Sequence, residues 1–464
     1  QALKISLNSL MALSTTLSRH KSQGFPNRDA FFGGENNMNE KAKSDQNTLK
    51  RVATASFIGN FVEWFDYAAY GFLATVIALV FFPSSDPVVA LMSTYAIFAL
   101  SFIVRPFGGI FWGYIGDKYG RKHALSWSIM IMTLATMCIA LLPNYASIGI
   151  FAPLLLLFFR MIQGFSASGE YAGASNFLAE YAPKNKKGLY TSLVPASTAA
   201  GLLLGSLMSA AMFAWMSESF LYEYGWRIPF LLAAPLGLIG RFIRLKLEDT
   251  PEFLAHQKTS HKETFPIKAL FTEYRQPLFK AFAIASLNAT AFYLIFSYMP
   301  NYLSTELGVN KTESFISGAI SLAFYIGIVF MMGKYSDRMG RNKMLAMACI
   351  GFIILTFPLF YFLSDTSFIG MIIIQLVFCS LLAMNDGSLP AYLTELFPVH
   401  VRYTGFAFSF NTANALLGGT IPLLATWLIH STGSTLAPAF ILIVIALFSM
   451  SVLVQSNKAK LVTV

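Results

Sequence analysis

The sequence predicts an all-α membrane protein: twelve transmembrane helices in two six-helix bundles, related by a pseudo-two-fold axis along the membrane normal. Three observations predict it: composition, the spacing of apolar runs, and an internal duplication. Across 464 residues, 55% are hydrophobic and only 12% are charged, and 44 are phenylalanine. An average soluble domain carries about 25% charged residues. Half that share leaves too little polar surface to cover a globule in water, which excludes a soluble enzyme, a disulfide-rich secreted scaffold and a disordered chain. The net charge of +10 does not make the chain a nucleic-acid binder. Its basic residues fall in short clusters between apolar runs, the pattern that orients a protein in a lipid bilayer.

A helix needs roughly 20 mostly apolar residues to cross a bilayer. Such runs lie near 53–82, 88–115, 124–142, 147–180, 189–216 and 227–245, then near 279–303, 315–333, 344–363, 368–394, 404–430 and 436–455. Six runs, a polar break and six more divide the chain into a bundle at 51–245, a central loop at 246–278 and a bundle at 279–455, with an N-terminal tail at 1–50 expected to be disordered and a short tail at 456–464. One set of loops carries Lys118, Arg121, Lys122, Lys184, Lys186, Lys187, Arg241, Arg244, Lys246, Lys334, Arg338, Arg341, Lys343 and Arg402, and the tails share that bias. The alternate loops hold Asp86, Glu218, Glu223, Glu306 and Asp365, with Lys311 their main basic residue. Positive residues stay inside, so both termini and the central loop are expected in the cytoplasm. The stretch 1–37 fits no span, and translation is expected to start at Met38, with a cleavable leader as the lesser reading. Cys138, Cys349 and Cys379 have no metal-ligand spacing and read as small core residues. Trp and Met residues read as interfacial anchors and filler, and Gly201-x-x-x-Gly205 as a close-packing step.

The duplication shows in two cytoplasmic loops, Gly113-Tyr-Ile-Gly-Asp117-Lys-Tyr-Gly120-Arg121-Lys122 and Gly333-Lys-Tyr-Ser-Asp337-Arg-Met-Gly340-Arg341-Asn-Lys343. A second pair, Leu178-Ala-Glu180-Tyr-Ala-Pro183 and Leu393-Thr-Glu395-Leu-Phe-Pro398, repeats at nearly the same offset. Two concordant matches indicate a six-helix unit repeated in the same orientation. Gly116, Gly120 and Gly340 are expected to supply positive φ and close approach. Asp117 and Asp337 are expected to sit against helix N-termini. Arg121 is expected near Glu180, and Arg341 near Glu395, as a cytoplasmic gate broken during transport.

The loop pattern Gly-x-x-x-Asp-Lys/Arg-x-Gly-Arg-Lys after the second span resembles the signature of the major facilitator superfamily. More narrowly, Gly59-Asn60-Phe-Val-Glu63-Trp64-Phe-Asp66-Tyr67-Ala-Ala-Tyr70-Gly71 resembles the first helix of the metabolite:proton symporters, whose members carry proline and betaine, 2-oxoglutarate, shikimate, citrate and dicarboxylates. Arg105-Pro-Phe-Gly-Gly, Arg160-Met-Ile-Gln163-Gly164, Trp226-Arg-Ile-Pro-Phe230, Tyr298-Met-Pro-Asn-Tyr302 and Glu395-Leu-Phe-Pro-Val-His-Val-Arg402-Tyr-Thr-Gly405 add to the resemblance, which runs from about 50 to 455. Glu248-Asp-Thr-Pro251-Glu252 departs from the family's usual Glu-Ser-Pro, a change expected to be without consequence. The resemblance implies the major facilitator fold, alternating access, and a role for Arg160 in linking substrate to proton.

Ionisable residues inside a span cost about 2.5–3.5 kcal/mol each on insertion scales and persist where they face a bundle interior or one another. In the first span Asn60, Glu63, Tyr67 and Tyr70 occupy an arc of about 80°, with Asp66 about 40° beyond its edge. That stripe is expected to line a central cavity. Arg160 and Gln163 lie one turn apart in the fourth span, followed by Glu170, and Arg105 is placed nearer the cytoplasmic end of the second. In the second half Asn288, Tyr293, Tyr298, Tyr325, Asn385, Asp386, Asn411 and Asn414 are the polar candidates, and Tyr and Asn in such helices often serve as glue between helices.

These readings converge on a proton-coupled symporter of the inner membrane that imports a small organic acid or zwitterionic metabolite. The proton is the coupling ion; no other cofactor, metal or catalytic residue is expected. A short C-terminal tail without heptads favours an organic acid over the betaine carriers that end in a coiled coil. The rivals are a proton/drug antiporter of the same fold and a non-transporting membrane sensor. An enzyme is disfavoured because no nucleophile elbow or Walker loop occurs.

Overall fold

The computed structural model describes residues 28–82, 87–259 and 266–462. The reading of residues 1–37 therefore lies mostly outside the described residues. The chain divides into residues 1–50 and 51–464. In the first unit a helix starts at Arg28, inside the tail expected to be disordered. The run Glu40-Lys-Ala-Lys43 consists of good helix formers.

Among the described residues, eleven helices are long and apolar enough to cross a membrane, and one bent pair makes a twelfth. The bent pair, α1, is Gln46–Phe72 with Ala74–Phe81, turned by 68° at the break. The others are α2 (Val89–Lys118), α3 (Arg121–Leu141), α4 (Phe151–Tyr181), α5 (Lys184–Trp215), α6 (Gly225–Leu245), α7 (Arg275–Glu306), α8 (Lys311–Met339), α9 (Arg341–Leu363), α10 (Phe368–Leu396), α11 (Arg402–Thr432) and α12 (Ala437–Gln455). Each matches an apolar run, extended by up to a turn or two at ends where polar residues continue the helix into the interface.

The repeat is visible in the packing: α2 lies along α11, and α5 along α8. Since α8 repeats α2 and α11 repeats α5, the two contacts are the same contact seen twice. Gly120 (φ 110°) and Gly340 (φ 93°) turn the chain sharply into α3 and α9, as expected. Gly116 is different. It sits within α2 rather than at a positive φ, and a Cβ there would overlap the Tyr403 ring, so its role is close approach alone. Gly201 and Gly205 let α5 press on α1: a Cβ at Gly201 would lie 2.6 Å from the Phe61 carbonyl oxygen, and one at Gly205 2.5 Å from Ala68 Cβ. The tryptophans divide. Trp127, Trp215 and Trp427 are exposed as interfacial anchors should be, but Trp64, Trp112 and Trp226 are buried, which corrects the uniform reading. Trp112 donates to the Phe165 carbonyl (3.1 Å), the partner a buried indole needs.

Two spans carry π-helical stretches near their middles, Tyr293–Tyr298 in α7 and Asn414–Gly418 in α11. A Cβ at Gly418 would lie 2.7 Å from Tyr293, so the two stretches meet. Such bulges widen the turn and re-aim side chains, and they recur at functional sites.

Candidate functional site

Several ion pairs lie buried among the N-terminal spans. On α1, Glu63 Oε1 accepts from Arg105 Nη2 of α2 (2.9 Å) and Asp66 Oδ2 from Arg160 Nη1 of α4 (3.1 Å). Arg105 lies about 20 Å of helix before Lys118, in the middle of α2 and not near its end, which corrects its expected height. Asp66, read as lying off the polar stripe, is engaged through one carboxylate oxygen. Gln163 accepts from Arg160 (2.8 Å) and donates to Thr136 of α3 (2.6 Å). Both guanidiniums rest on rings: Arg105 lies 4.7 Å from the centre of Tyr67 and 4.6 Å from Phe102, and Arg160 4.9 Å from Tyr67 and 4.2 Å from Tyr70. Tyr70 donates to the Thr94 carbonyl (3.0 Å).

These pairs are incompletely satisfied. Glu63 Oε2, Asp66 Oδ1, the Tyr67 hydroxyl, Arg105 Nε, and Arg160 Nε and Nη2 are buried without hydrogen-bond partners among the described residues. Each unmet group costs about 1–3 kcal/mol, more where charged. The unmet Nε–Nη2 edge of Arg160 is the fork that holds a carboxylate bidentately.

The remaining expected site residues go elsewhere. Asn60 donates to Val194 (2.9 Å), Ser197 (2.9 Å) and Thr198 (2.7 Å) of α5, so it ties two helices together instead of lining a cavity. Glu170 is held by Arg244 of α6, whose Nη1 lies 2.9 Å from Oε2 and also donates to the Leu125 carbonyl (3.1 Å). Arg244, read as an orienting loop charge, is buried. The signal was present, because Gly237, Gly240 and Arg244 share one face of α6 at i, i+3 and i+7. Asp386 of α10 accepts from Tyr171 of α4 (2.8 Å) and Tyr325 of α8 (2.5 Å), joining the two halves.

At the loop end, Asp117 caps α11. It accepts from the backbone N–H of Tyr403 (3.0 Å) and Thr404 (2.8 Å) and from the Thr404 hydroxyl (2.7 Å). Asp337 does the same for the start of α5, at Gly188 (2.8 Å) and Leu189 (2.9 Å). The expected pairs form, Arg121–Glu180 at 3.4 Å and Arg341–Glu395 at 3.5 Å, but they are not the tightest contacts. Arg121 lies 2.7 Å from the carbonyls of Gly116 and Val399, and Arg341 2.7 Å from Asp337. Arg402 of α11 reaches Glu180 of α4 (2.8 Å) and Glu252 (2.5 Å). The stretch 248–252, expected to be without consequence, is wired into this network. Asp249 accepts from the N–H groups of Arg121 (3.1 Å) and Lys122 (3.3 Å), Thr250 donates to Glu180, and Glu252 meets Lys187 (3.4 Å). Burial raises the Asp249 pKa, against the favourable helix N-terminus it caps.

A model of the Major Facilitator Superfamily matches residues 56–421. The chain belongs to the major facilitator superfamily. Its relatives within the superfamily include a proline/betaine transporter of Salmonella typhimurium, 38% identical over 88% of this chain and 83% of the relative. The glycine betaine/proline/ectoine/pipecolic acid transporter OusA of Dickeya dadantii is 37% identical with the same coverage. In fold the chain resembles the proton:xylose symporter XylE, with a TM-score of 0.75 and 16% identity over 89% of this chain and 96% of that one. This superfamily member is a multi-pass membrane transporter.

Trp64 is the residue the sequence reading missed. It sits between Glu63 and Asp66 on α1, buried, with its ring 5.3 Å from Phe292 and 6.4 Å from Tyr293 of α7. Its position next to Glu63 in the first-helix motif was the available signal.

Proposed function

We propose that this protein imports a small zwitterionic metabolite of the proline or betaine kind together with protons, by alternating access of the halves 51–245 and 279–455. The observation that carries the reading is the pair of half-satisfied ion pairs on α1, Glu63–Arg105 and Asp66–Arg160. A carboxylate that leaves its guanidinium on protonation, and a guanidinium that turns to a substrate carboxylate, each open a pair on the same helix, which links proton to substrate. The names of the relatives support a zwitterion over an organic acid. The loop charges support cytoplasmic termini in a bacterial inner membrane, with Asp117, Asp337 and their partners forming the cytoplasmic gate. Inward potential adds roughly 2.3 kcal/mol per net charge per 100 mV.

The test is uptake of labelled proline and glycine betaine into proteoliposomes with an acid exterior. Accumulation against a gradient that collapses when the pH difference and potential are abolished is the expected result. Accumulation that survives both treatments excludes proton coupling, and no uptake of either compound excludes the substrate class.

A further inference from the structure

Where α1, α2 and α7 meet, the two halves share a cluster of aromatic rings. Trp64 contacts Tyr67 (6.1 Å between ring centres), Phe292 (5.3 Å) and Tyr293 (6.4 Å), and Phe102 contacts Tyr67 and Tyr293 (both 5.8 Å). Most apolar cores contain such rings. This one differs in its polar atoms. The Trp64 indole N–H, the Tyr67 and Tyr293 hydroxyls and Glu63 Oε2 are all buried without partners among the described residues. Tyr293 reaches the same cluster through its ring contacts with Phe102 and Trp64. A cluster built only for packing would place phenylalanine at these positions, because unmet N–H and O–H groups weaken it.

The ring faces already receive a cation, the Arg105 guanidinium over Tyr67 and Phe102. Aromatic faces attract cations through the ring quadrupole, and quaternary ammonium groups, which donate no hydrogen bonds, are recognised in this way. Glu63 supplies a counter-charge beside the rings, and Arg105 a partner for a carboxylate. The π-helical turn that carries Tyr293 brings the C-terminal half into the cluster, so a ligand bound here touches both halves.

We infer that Trp64, Tyr67, Phe102 and Tyr293 form the subsite for the ammonium group of a zwitterionic substrate, with Glu63 as its counter-ion and Arg105 as the anchor of its carboxylate. This deepens the proposed function and rests on it. It divides the labour on α1, giving substrate to the Glu63–Arg105 pair and leaving Asp66–Arg160, whose network runs over α1, α3 and α4, to the proton.

The test compares glycine betaine with 3,3-dimethylbutanoate, which has the same shape and carboxylate but a neutral carbon in place of the ammonium nitrogen. Binding of each to the purified full-length protein is measured by titration calorimetry. Wild type is expected to prefer betaine at least tenfold. Trp64→Leu and Tyr293→Leu should reduce that preference to threefold or less, while Trp64→Phe should keep most of it. Should the leucine variants fail to fold, protein labelled with fluorinated tryptophan retains the ring shape but weakens its negative face, and its betaine affinity should fall severalfold with that for the neutral analogue unchanged. Equal affinity of wild type for the two compounds, or a preference untouched by the Trp64 changes, overturns the ring subsite while leaving zwitterion transport standing. Binding of neither betaine nor proline overturns both.

Discussion

The Asp117 carboxylate lies 2.8 Å from the backbone N–H of Thr404, reaching from the end of α2 onto the first turn of α11. A full negative charge meets the positive end of a helix that belongs to the other half, in the arrangement helix dipoles favour. Asp337 mirrors it at Leu189, 2.9 Å away.

Asp117→Asn keeps the size of the side chain but removes its charge and half its accepting capacity. Hydrogen bonds to a charged acceptor contribute about 1.5–3 kcal/mol, so the variant should loosen this contact by an amount of that order. Amide hydrogen exchange over 402–405 should accelerate by roughly tenfold or more. Unchanged exchange there would show that the cap does not hold α11.

Arg160 sits in a buried pair, and removal of one partner from such a pair costs about 3–5 kcal/mol. Arg160→Ala should therefore unfold far more readily in detergent. Arg160→Lys keeps the charge but loses the planar guanidinium that holds Asp66 and Gln163 at once, so transport should fall at least tenfold with a smaller loss of stability. Full transport by Arg160→Lys counts against a role for the guanidinium geometry in coupling.

Glu170 and Arg244 form another buried pair. Glu170→Gln or Arg244→Met alone strands a charge in the interior and should lower thermal stability by roughly 3–5 kcal/mol. The double variant should recover at least half of that loss, because it leaves neither charge unpaired. A double variant no better than the worse single one would mean that Arg244 acts chiefly through its bonds to the backbone.

The loop network predicts an acid sensitivity with two parts. Burial raises the pKa of Glu252, but the Arg402 hydrogen bond and the charges of Arg402 and Lys187 outweigh it and hold the group below its usual range. Its stabilising contribution is thus complete above the ordinary carboxylate value of about 4.3 and disappears as pH falls through the depressed one. Burial and the neighbouring His256 hold His400 below 6.5. The folded state prefers it neutral, so stability is full above that value and declines as pH drops through it. Thermal unfolding of the detergent-solubilised protein should show both limbs. His400→Gln should flatten the upper limb, and Glu252→Gln the lower one. A variant that leaves its limb unchanged removes that group from the account.

Much of the fold was legible because a bilayer leaves few choices. Apolar runs located every span to within a turn or two, and the paired Gly120 and Gly340 loops exposed the duplication before any contact was known. The site was legible only in part. Periodicity gives the direction of a side chain on its own helix but not what its neighbour presents. Asn60 therefore joined the cavity stripe although α5 takes its amide, and Asp66 fell outside the arc although Arg160 comes to meet it. Arg244 was concealed by its place near a charged loop, and Trp64 by the habit of tryptophan at interfaces. The stretch 248–252 could not be read at all from local pattern, since its partners Arg121, Glu180 and Arg402 are supplied by three distant segments.

Tyr67 touches both buried guanidiniums, Arg105 at 4.7 Å and Arg160 at 4.9 Å. One phenol ring is thus a common wall between two compartments of charge. Neither cation can swing away from its carboxylate without changing the surface against which the other leans. Cargo and fuel would then be coupled through a single rigid plate, with no need for either to meet the other.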